Sequence, residues 1–383
     1  MPKSVLVLGA GYAGSAALSR LQQLDVDGLS LTLVADRPYH LVRHEVHRVV
    51  RQPQVREHLT VPVEDFLAPE TTFVEGRVTE IDTGDRLVAL ADGDDLEYDY
   101  LIVALGSETA FYGIEGLTTH AHTLTSLEDA VGINEALESA AADATEDDPA
   151  TVVVGGGGLS GIQTVGEIAA YRDETGAPID VLLVEALDSV LPMGDPDLQT
   201  RLADALAAAG VDVLTGDPIV EATESAVRFD GREPRTYDVL VWTGGIEGRS
   251  VVGATGLPSE RDRLVVDTDF QTTDDRVFAV GDTALVESDD VVPPTAQAAM
   301  GAGETAAANV VRAAVDRPLE DWSFRDLGTL VSVGDTAFAD DLLGYPTPVI
   351  DGTPANVLKK GVAARWIANL SSWPRAIRAW SVL

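Results

Sequence analysis

Gly9, Gly11 and Gly14 stand in G-x-G-x-x-G spacing directly after four apolar residues, Val5, Leu6, Val7 and Leu8. That combination suits the binding of a diphosphate. The first glycine permits a tight turn from strand to helix, the second lets backbone approach a pyrophosphate, and the third lets the helix pack close on the strand. The helix expected over residues 15–24 would aim its free N–H groups at the negative charge. A second apolar run, residues 29–35, delivers Asp36. It lies about twenty residues past the last glycine, where a carboxylate can reach ribose hydroxyls. For one copy taken alone, a glycine-rich turn that binds nothing is the competing reading.

The pattern then recurs. Residues 151–154 form an apolar run, Gly156, Gly158 and Gly161 restore the spacing, residues 162–171 read as a helix, and the run 181–184 ends at Glu185. Two such half-sites in one chain are far more specific than either copy. Late in the chain, residues 276–280 lead as an apolar strand into Gly281 and Asp282. An acid there would return to the first site, where it can bond the ribityl or ribose hydroxyls of a flavin dinucleotide. On this reasoning the first copy holds FAD and the second an NAD-type donor. Glu185 favours NADH over NADPH, because a carboxylate repels a 2′-phosphate and pairs with a free 2′-hydroxyl. The residue after it is Ala186, not an arginine.

The elements that must position these residues are those of an α/β chain with parallel, buried strands. Residues 72–78 read as one strand, 78–98 as a small antiparallel excursion, and 100–104 as a buried strand ending in Leu105, Gly106 and Ser107. Ser126 caps a helix over residues 126–142, with Asp129 three residues on. Residues 144–149 form an acidic turn, 198–209 an Ala/Leu helix, and 239–242 a strand ending in Thr243, Gly244 and Gly245. Residues 293–297 (PPTAQ) open a helix of small residues running to 315. The fold expected is two Rossmann-like dinucleotide-binding domains. The first (1–120 and 246–318) is interrupted by the second (121–245), and a C-terminal domain follows (319–383).

Charge sets further bounds. The chain has 383 residues, with 63 acidic against 26 basic side chains and a net charge of −37. Such a field repels nucleic acid and suits a halophilic, haloarchaeal-like protein whose dense carboxylates stay hydrated in high salt. An ordinary acidic protein is the plainer alternative. Cysteine is absent, which removes disulfides, thiolate metal sites and cysteine redox catalysis. The N-terminus enters a strand directly and no run of about 18 apolar residues occurs, so neither a leader nor a membrane span is expected. The tail differs: residues 352–383 carry Lys359, Lys360, Arg365, Arg375 and Arg378 and no acid, interleaved with Trp366, Trp373 and Trp380. This is the pattern of an amphipathic segment at an anionic membrane surface; a docked helix pair that offsets the acidic body would look similar.

Over nearly its full length the chain resembles the FAD/NAD-linked two-dinucleotide-domain reductases of glutathione-reductase-like fold, and within them the type II NADH:quinone oxidoreductases. The motifs that carry the resemblance are VLVLGAGYAG (5–14), YLIVALGS (100–107), VGGGGLSGIQTVGE (154–167), VLLVEALDSVLP (181–192), VLVWTGG (239–245), RVFAVGD (276–282) and PPTAQAA (293–299), followed by the amphipathic tail. The resemblance implies that Gly9, Gly11, Gly14, Asp36, the Val78 backbone, Gly106, Gly281, Asp282 and Ala296 hold FAD. It implies that Gly156, Gly158, Gly161, Glu185, Gly244 and Gly245 hold NADH, and that Gln297, Gln163 and Glu167 serve the catalytic region. It further implies hydride transfer from NADH to flavin, then to a membrane quinone without proton pumping. The place implied is the cytoplasmic face of the membrane, held peripherally through the tail, and a homodimer is left open. No metal is expected. Where relatives usually carry Glu in the second fingerprint helix, this chain has Gln163, followed by Glu167. Gly301 stands where a second Gln is usual, Ala35 takes the usual acidic position before Asp36, and the stretch after Tyr39 and His40 reads LVRHEVHRVVR.

Sulfide:quinone reductases share this fold but work through cysteine persulfides, which this chain cannot form. A soluble NAD(P)H reductase of a carrier such as ferredoxin is the alternative enzyme, and a flavin-binding protein with weakened turnover is the alternative outside that class. His40, His44 and His47 fall on one face if their segment is helical. HEVH fails the zincin spacing. These side chains either pack near the flavin edge or domain seam, or donate a proton to reduced quinone. Glu167 is either a helix-surface acid or a proton-relay group.

Overall fold

The structure, a computed structural model, describes residues 2–288, 291–345 and 347–383. Two parallel sheets dominate it. In the first, the strands Lys3–Leu8, Leu29–Ala35, Thr72–Glu75, Tyr100–Val103 and Val277–Ala279 lie with Lys3–Leu8 in the centre. Val5, Val7, Leu8, Leu101, Ile102 and Val103 are fully buried, as expected for strands covered on both faces. In the second sheet, Ala150–Gly155 pairs with Ile179–Glu185 on one side and Val239–Trp242 on the other, and Val211–Thr215 lies at the edge.

The registers of the two sheets correspond. Leu8 pairs with Val34, and Gly155 with Val184. Each central strand leads through its glycines into a long helix, Tyr12–Leu24 in the first sheet and Leu159–Thr175 in the second. Both helices begin earlier than the apolar periodicity indicates, because their first turns are built from the fingerprint itself. The second sheet lies between Ser107–Thr109 and Ile246–Gly248, two short strands that pair antiparallel and tie its entry to its exit.

Elsewhere local signals translate directly. Ser126 accepts from the Asp129 N–H and Asp129 reaches back to the Ser126 N–H, a complete capping box on Leu127–Asp143. One expectation changes. Residues 72–78 are not one strand but two, because the chain leaves the first sheet at Gly76 and Arg77. Thr72–Glu75 runs parallel to Leu29–Ala35, whereas Val78–Asp82 pairs antiparallel with Leu87–Leu90.

The C-terminal region is a three-stranded sheet (Thr329–Val333, Thr336–Asp340, Ile350–Asp351) with two helices, Thr353–Leu370 and Trp373–Trp380. Its hairpin rests on the second fingerprint helix so closely that a Cβ on Gly166 would lie 2.4 Å from the Gly334 nitrogen. The Thr353–Leu370 helix buries Ala363, Ala364, Ile367 and Leu370. It also turns two residues inward that the tail composition suggested for a lipid surface, Lys359 and Trp366. Lys359 is buried against Glu45, and Trp366 donates its Nε1–H to His40 Nε2 at 2.8 Å. A buried ammonium is tolerated here because a buried carboxylate faces it at 2.6 Å.

Candidate active site: two dinucleotide cradles and a buried ionic cluster

The two glycine turns are superimposable in kind. Gly9 and Gly156 have φ of 104° and 105°, and a Cβ on either would strike backbone of the neighbouring strand end, Ala104 O at 2.3 Å and Gly244 N at 2.7 Å. A Cβ on Gly14 would lie 1.9 Å from Gly9 O, and one on Gly161 would lie 1.8 Å from Gly156 O, so each helix seats directly on its own turn. Gly11 and Gly158 differ from these: a Cβ on either meets nothing within 4 Å. Each is also the N-cap of its helix with no side-chain cap and no acid in the first turn. Open space in front of uncapped helix N–H groups is what an anionic diphosphate requires, so both cradles fit a dinucleotide.

The acids divide the two sites. Glu185 is buried and accepts from the Gly157 N–H at 2.6 Å and the Leu187 N–H at 2.8 Å. Those bonds orient the carboxylate and leave lone pairs for two ribose hydroxyls. By register its counterpart in the first sheet is Ala35, so Asp36 corresponds to Ala186. Asp36 is exposed and makes no hydrogen bond or ion pair among the described residues. Asp282 does come back to the first cradle. Gly281 packs on Ala13, and Asp282 Oδ2 accepts from Ser107 Oγ at 2.8 Å with Arg43 3.9 Å away. The Gly106 N–H is taken by Thr283 Oγ1 at 2.8 Å, which joins the two strand ends.

A cavity of about 220 Å³ opens beside Asp282, lined by Phe270, Ala299, Ala302 and Trp322 among others. Trp322 occupies the space over Gly301, its Nε1 3.1 Å from where a Cβ would be. Thr295 caps the Ala296–Ala314 helix, so Ala296 opens it. Gln297, next along, is held by the segment below it: its Nε2–H donates to Asp326 at 2.9 Å, and the Leu327 N–H donates to its Oε1 at 3.2 Å. Val78 begins the excursion strand after the Gly76 crossover. Gly245 approaches Tyr112 so closely that a Cβ would overlap its hydroxyl, and Gly244 is covered by Trp242.

His40, His44 and His47 do not share a helical face. His40 lies in the strand Tyr39–Leu41, His44 in the single turn Arg43–Glu45, and His47 caps the short helix Arg48–Arg51. No group of metal-binding side chains occurs among the described residues. The three histidines instead border a buried cluster that the composition gave no sign of. Tyr12, inside the first fingerprint, bonds His44 Nδ1 at 2.5 Å and meets the rings of His40 and Trp366 edge-on or tilted. His44 Nε2 points towards Glu45 Oε1 at 3.7 Å, and Glu45 binds both Lys359 and Arg48 at 2.6 Å. Arg48 also reaches Glu167 at 4.0 Å.

Burial pushes His40 and His44 down to about 4, so both are neutral near pH 7. His40 donates from Nδ1 to Ala10 O at 2.8 Å and accepts from Trp366 at Nε2, which fixes its tautomer. Glu45 is fully buried, but Lys359 and Arg48 hold its carboxyl well below the usual carboxylate range. Glu167 behaves oppositely, its carboxyl pushed up to about 7 by burial. Arg51 Nε lies 2.7 Å away, but neither oxygen of Glu167 makes an aligned hydrogen bond, and the two terminal nitrogens of Arg51 go to Glu174 and Asp335. Gln163, one helical turn earlier, is also buried and accepts from Ser332 Oγ at 3.4 Å. Gln163 and Glu167 therefore face the C-terminal hairpin and the Arg48–Arg51 helix. The charged run RHEVHR between two strands was the only signal in the sequence for this cluster.

A chain with two dinucleotide cradles, one closed by a returning acid, and no cysteine is a flavin-and-pyridine-nucleotide type of fold without a dithiol centre. It belongs to the pyridine nucleotide-disulphide oxidoreductase family, which residues 3–303 match. It is 29% identical over 384 aligned residues to the type II NADH:quinone oxidoreductase of Staphylococcus aureus, covering 95% of this chain and 94% of that one. Among solved structures it shares its fold with NDH2 from Plasmodium falciparum in complex with NADH, at TM-score 0.85 and 15% identity over 100% of this chain and 98% of that one. It also shares its fold with the sulfide:quinone oxidoreductase of Aquifex aeolicus, at TM-score 0.82 and 21% identity over 96% and 92%.

Proposed function

We propose that this chain is an FAD-dependent oxidoreductase that takes electrons from NADH and passes them to a quinone, without pumping protons. The duplicated open cradle carries the reading, with Asp282 returned to the first copy and an anchored Glu185 in the second. Near full-length similarity to a type II NADH:quinone oxidoreductase supports it. Bound FAD would accept a hydride from NADH and release two electrons to the quinone; the protein supplies position and exclusion of water. In this reading Gly9, Gly11, Gly14 and Asp282 hold the flavin dinucleotide, with the Val78 and Ala296 backbones, Gly106 and Gly281 shaping its surroundings. Gly156, Gly158, Gly161 and Glu185 hold NADH, with Gly244 and Gly245 behind it. Gln297 begins the side facing the acceptor.

No helix among the described residues is long and apolar enough to cross a membrane. The surface that supports peripheral attachment is the last helix. Trp373, Ile377 and Trp380 lie at i, i+4 and i+7 and are 64%, 69% and 40% exposed, while Ala376 and Ala379 are buried. Arg378 and Arg365 stand on the same tail for anionic headgroups. Anaerobic stopped-flow absorbance at the flavin band tests the whole reading. NADH bleaches the flavin faster than NADPH, and added quinone restores it. A flavin that NADH leaves oxidised sinks the proposal. Wild-type protein binds anionic vesicles, and a double variant Trp373→Ser, Ile377→Ser binds at least tenfold less; equal binding removes the membrane part alone.

A further inference from the structure

A second cavity, of about 310 Å³, opens where the first fingerprint helix meets the tail helix, and none of the roles above uses it. Ser19 and Arg20 stand four and three residues before Gln23 on the Tyr12–Leu24 helix, so all three share the face that forms one wall. Glu304 enters from the Ala296–Ala314 helix, and Trp366, Asn369 and Leu370 from the Thr353–Leu370 helix. The side chains of Ser19, Arg20, Gln23, Glu304 and Asn369 make no hydrogen bond or ion pair among the described residues. A cation and an anion thus border one cavity without pairing. We propose that this cavity receives a phosphoethanolamine group, its phosphate on Arg20 and its ammonium on Glu304, presented by a membrane lipid. The inference rests on the peripheral attachment proposed above.

The charges select the ligand. A guanidinium presents a fork of N–H donors that suits phosphate oxygens. A carboxylate only accepts, so Glu304 requires a donor and repels a second anion. A phosphate alone would satisfy Arg20 and face Glu304 at a cost, and an ammonium alone would do the reverse. A zwitterion whose two charges lie two carbons apart meets each side chain with its opposite. It also adds no net charge to a chain of net −37. Ser19, Gln23 and Asn369 can bond the remaining phosphate oxygens and ammonium N–H groups. Trp366 has already given its Nε1–H to His40, so its ring offers the cavity a π surface, which attracts a cation. A choline headgroup fits less well: its trimethylated nitrogen has no N–H to donate to Glu304.

The position points to a lipid as the source. Leu370 ends the Thr353–Leu370 helix, and Trp373, three residues on, opens the helix with the exposed apolar face. Ser371 and Arg375 bond Asp65, while the Phe66 carbonyl and the Ala68 N–H bond Gln22, the chain neighbour of Gln23. The start of the last helix and the cavity wall are therefore joined through one short segment. A headgroup held in the cavity leaves its acyl chains next to Trp373. The same group free in solution has no chains to place there.

Flotation of the full chain with vesicles of phosphatidylglycerol, mixed with either phosphatidylcholine or phosphatidylethanolamine, tests the assignment. Wild type is expected to bind about tenfold tighter when the ethanolamine lipid replaces the choline lipid. The double variant Arg20→Gln, Glu304→Gln leaves net charge and the last helix unchanged. It should bind the choline mixture as wild type does and show no such gain. Ethanolamine lipids also alter vesicle packing, so an equal gain in the variant overturns the site, as does no gain in wild type. Phosphorus NMR of soluble O-phosphoethanolamine separates the two sources. A lipid site broadens its signal only at concentrations at least about 100-fold above those at which the vesicles bind; equal affinity overturns the lipid source and leaves a site for the free zwitterion. Wild type that binds neither mixture removes the membrane reading. In that case broadening by wild type and not by the variant supports the cavity as a site for the free group, and no broadening overturns it.

Discussion

The two cradles are the same backbone with different surroundings. Gly9, Gly11 and Gly14 match Gly156, Gly158 and Gly161 in φ, in contact and in open space. The residue after the middle glycine is Tyr12 in the first and Leu159 in the second. Both pack against the apolar core, but Tyr12 also bonds His44 at the edge of a buried cluster of ionisable groups, which the apolar Leu159 cannot do. The acids differ as well, Glu185 anchored by two backbone N–H groups and Asp36 displaced by one register position and exposed. Diphosphate capture thus needs only the turn, and the turn is duplicated. What differs between the two sites is the side-chain setting around the turn.

The largest expected effect comes from closing one cradle at a time. Gly14→Val should yield protein without bound flavin, since even a Cβ overlaps Gly9 O. Gly161→Val should keep its flavin but lose NADH binding by at least about 100-fold, near 2.7 kcal/mol. Absorbance of the purified protein and NADH titration read the two. Flavin lost from both variants would mean that the cradles are not independent.

Next is the pH dependence of stability behind the first cradle. Glu167 has its folded pKa raised from 4.5 to about 7, so the folded chain holds a proton that the unfolded chain has released. Its contribution is fully present below pH 4.5 and is lost as pH rises to about 7, roughly 3 kcal/mol in all. His40 and His44, lowered from 6.5 to about 4, give the opposite slope: their contribution is present above 6.5 and lost as pH falls through about 4. Denaturant unfolding of wild type against Glu167→Gln isolates the Glu167 contribution. The difference should change by a few kcal/mol between pH 4.5 and 7, and a constant difference would show Glu167 ionised throughout.

Smaller effects separate the two acids. Glu185→Ala should weaken NADH about tenfold, or ~1.4 kcal/mol, and narrow the gap to NADPH. Asp36→Ala should move unfolding free energy by less than about 0.5 kcal/mol and flavin affinity by less than Glu185→Ala moves that of NADH. Calorimetric titration measures both, and an Asp36 effect equal to that of Glu185 would put the two carboxylates in equivalent roles after all.

The sequence by itself determined the two parallel sheets, both glycine turns, the capped helix at Ser126 and the return of Asp282. These rest on local rules: apolar runs, glycine spacing and a capping residue each constrain a few neighbouring dihedrals, and such constraints are written in consecutive residues. It also hinted that Asp36 was out of place, which the strand registers made concrete. It left open whether the tail faces lipid or docks on the body, and whether the histidine segment is one helix, which it is not. The five cations of the tail look alike in composition, yet Lys359 is buried against Glu45 and Arg375 pairs with Asp65, leaving the final helix with the exposed apolar face. Only the tertiary structure decided those partners, because Glu45, Glu167 and Lys359 come from three distant elements. Whether a charge is buried, and whether burial or a counter-charge sets its pKa, depends on distances between segments that sequence order does not specify.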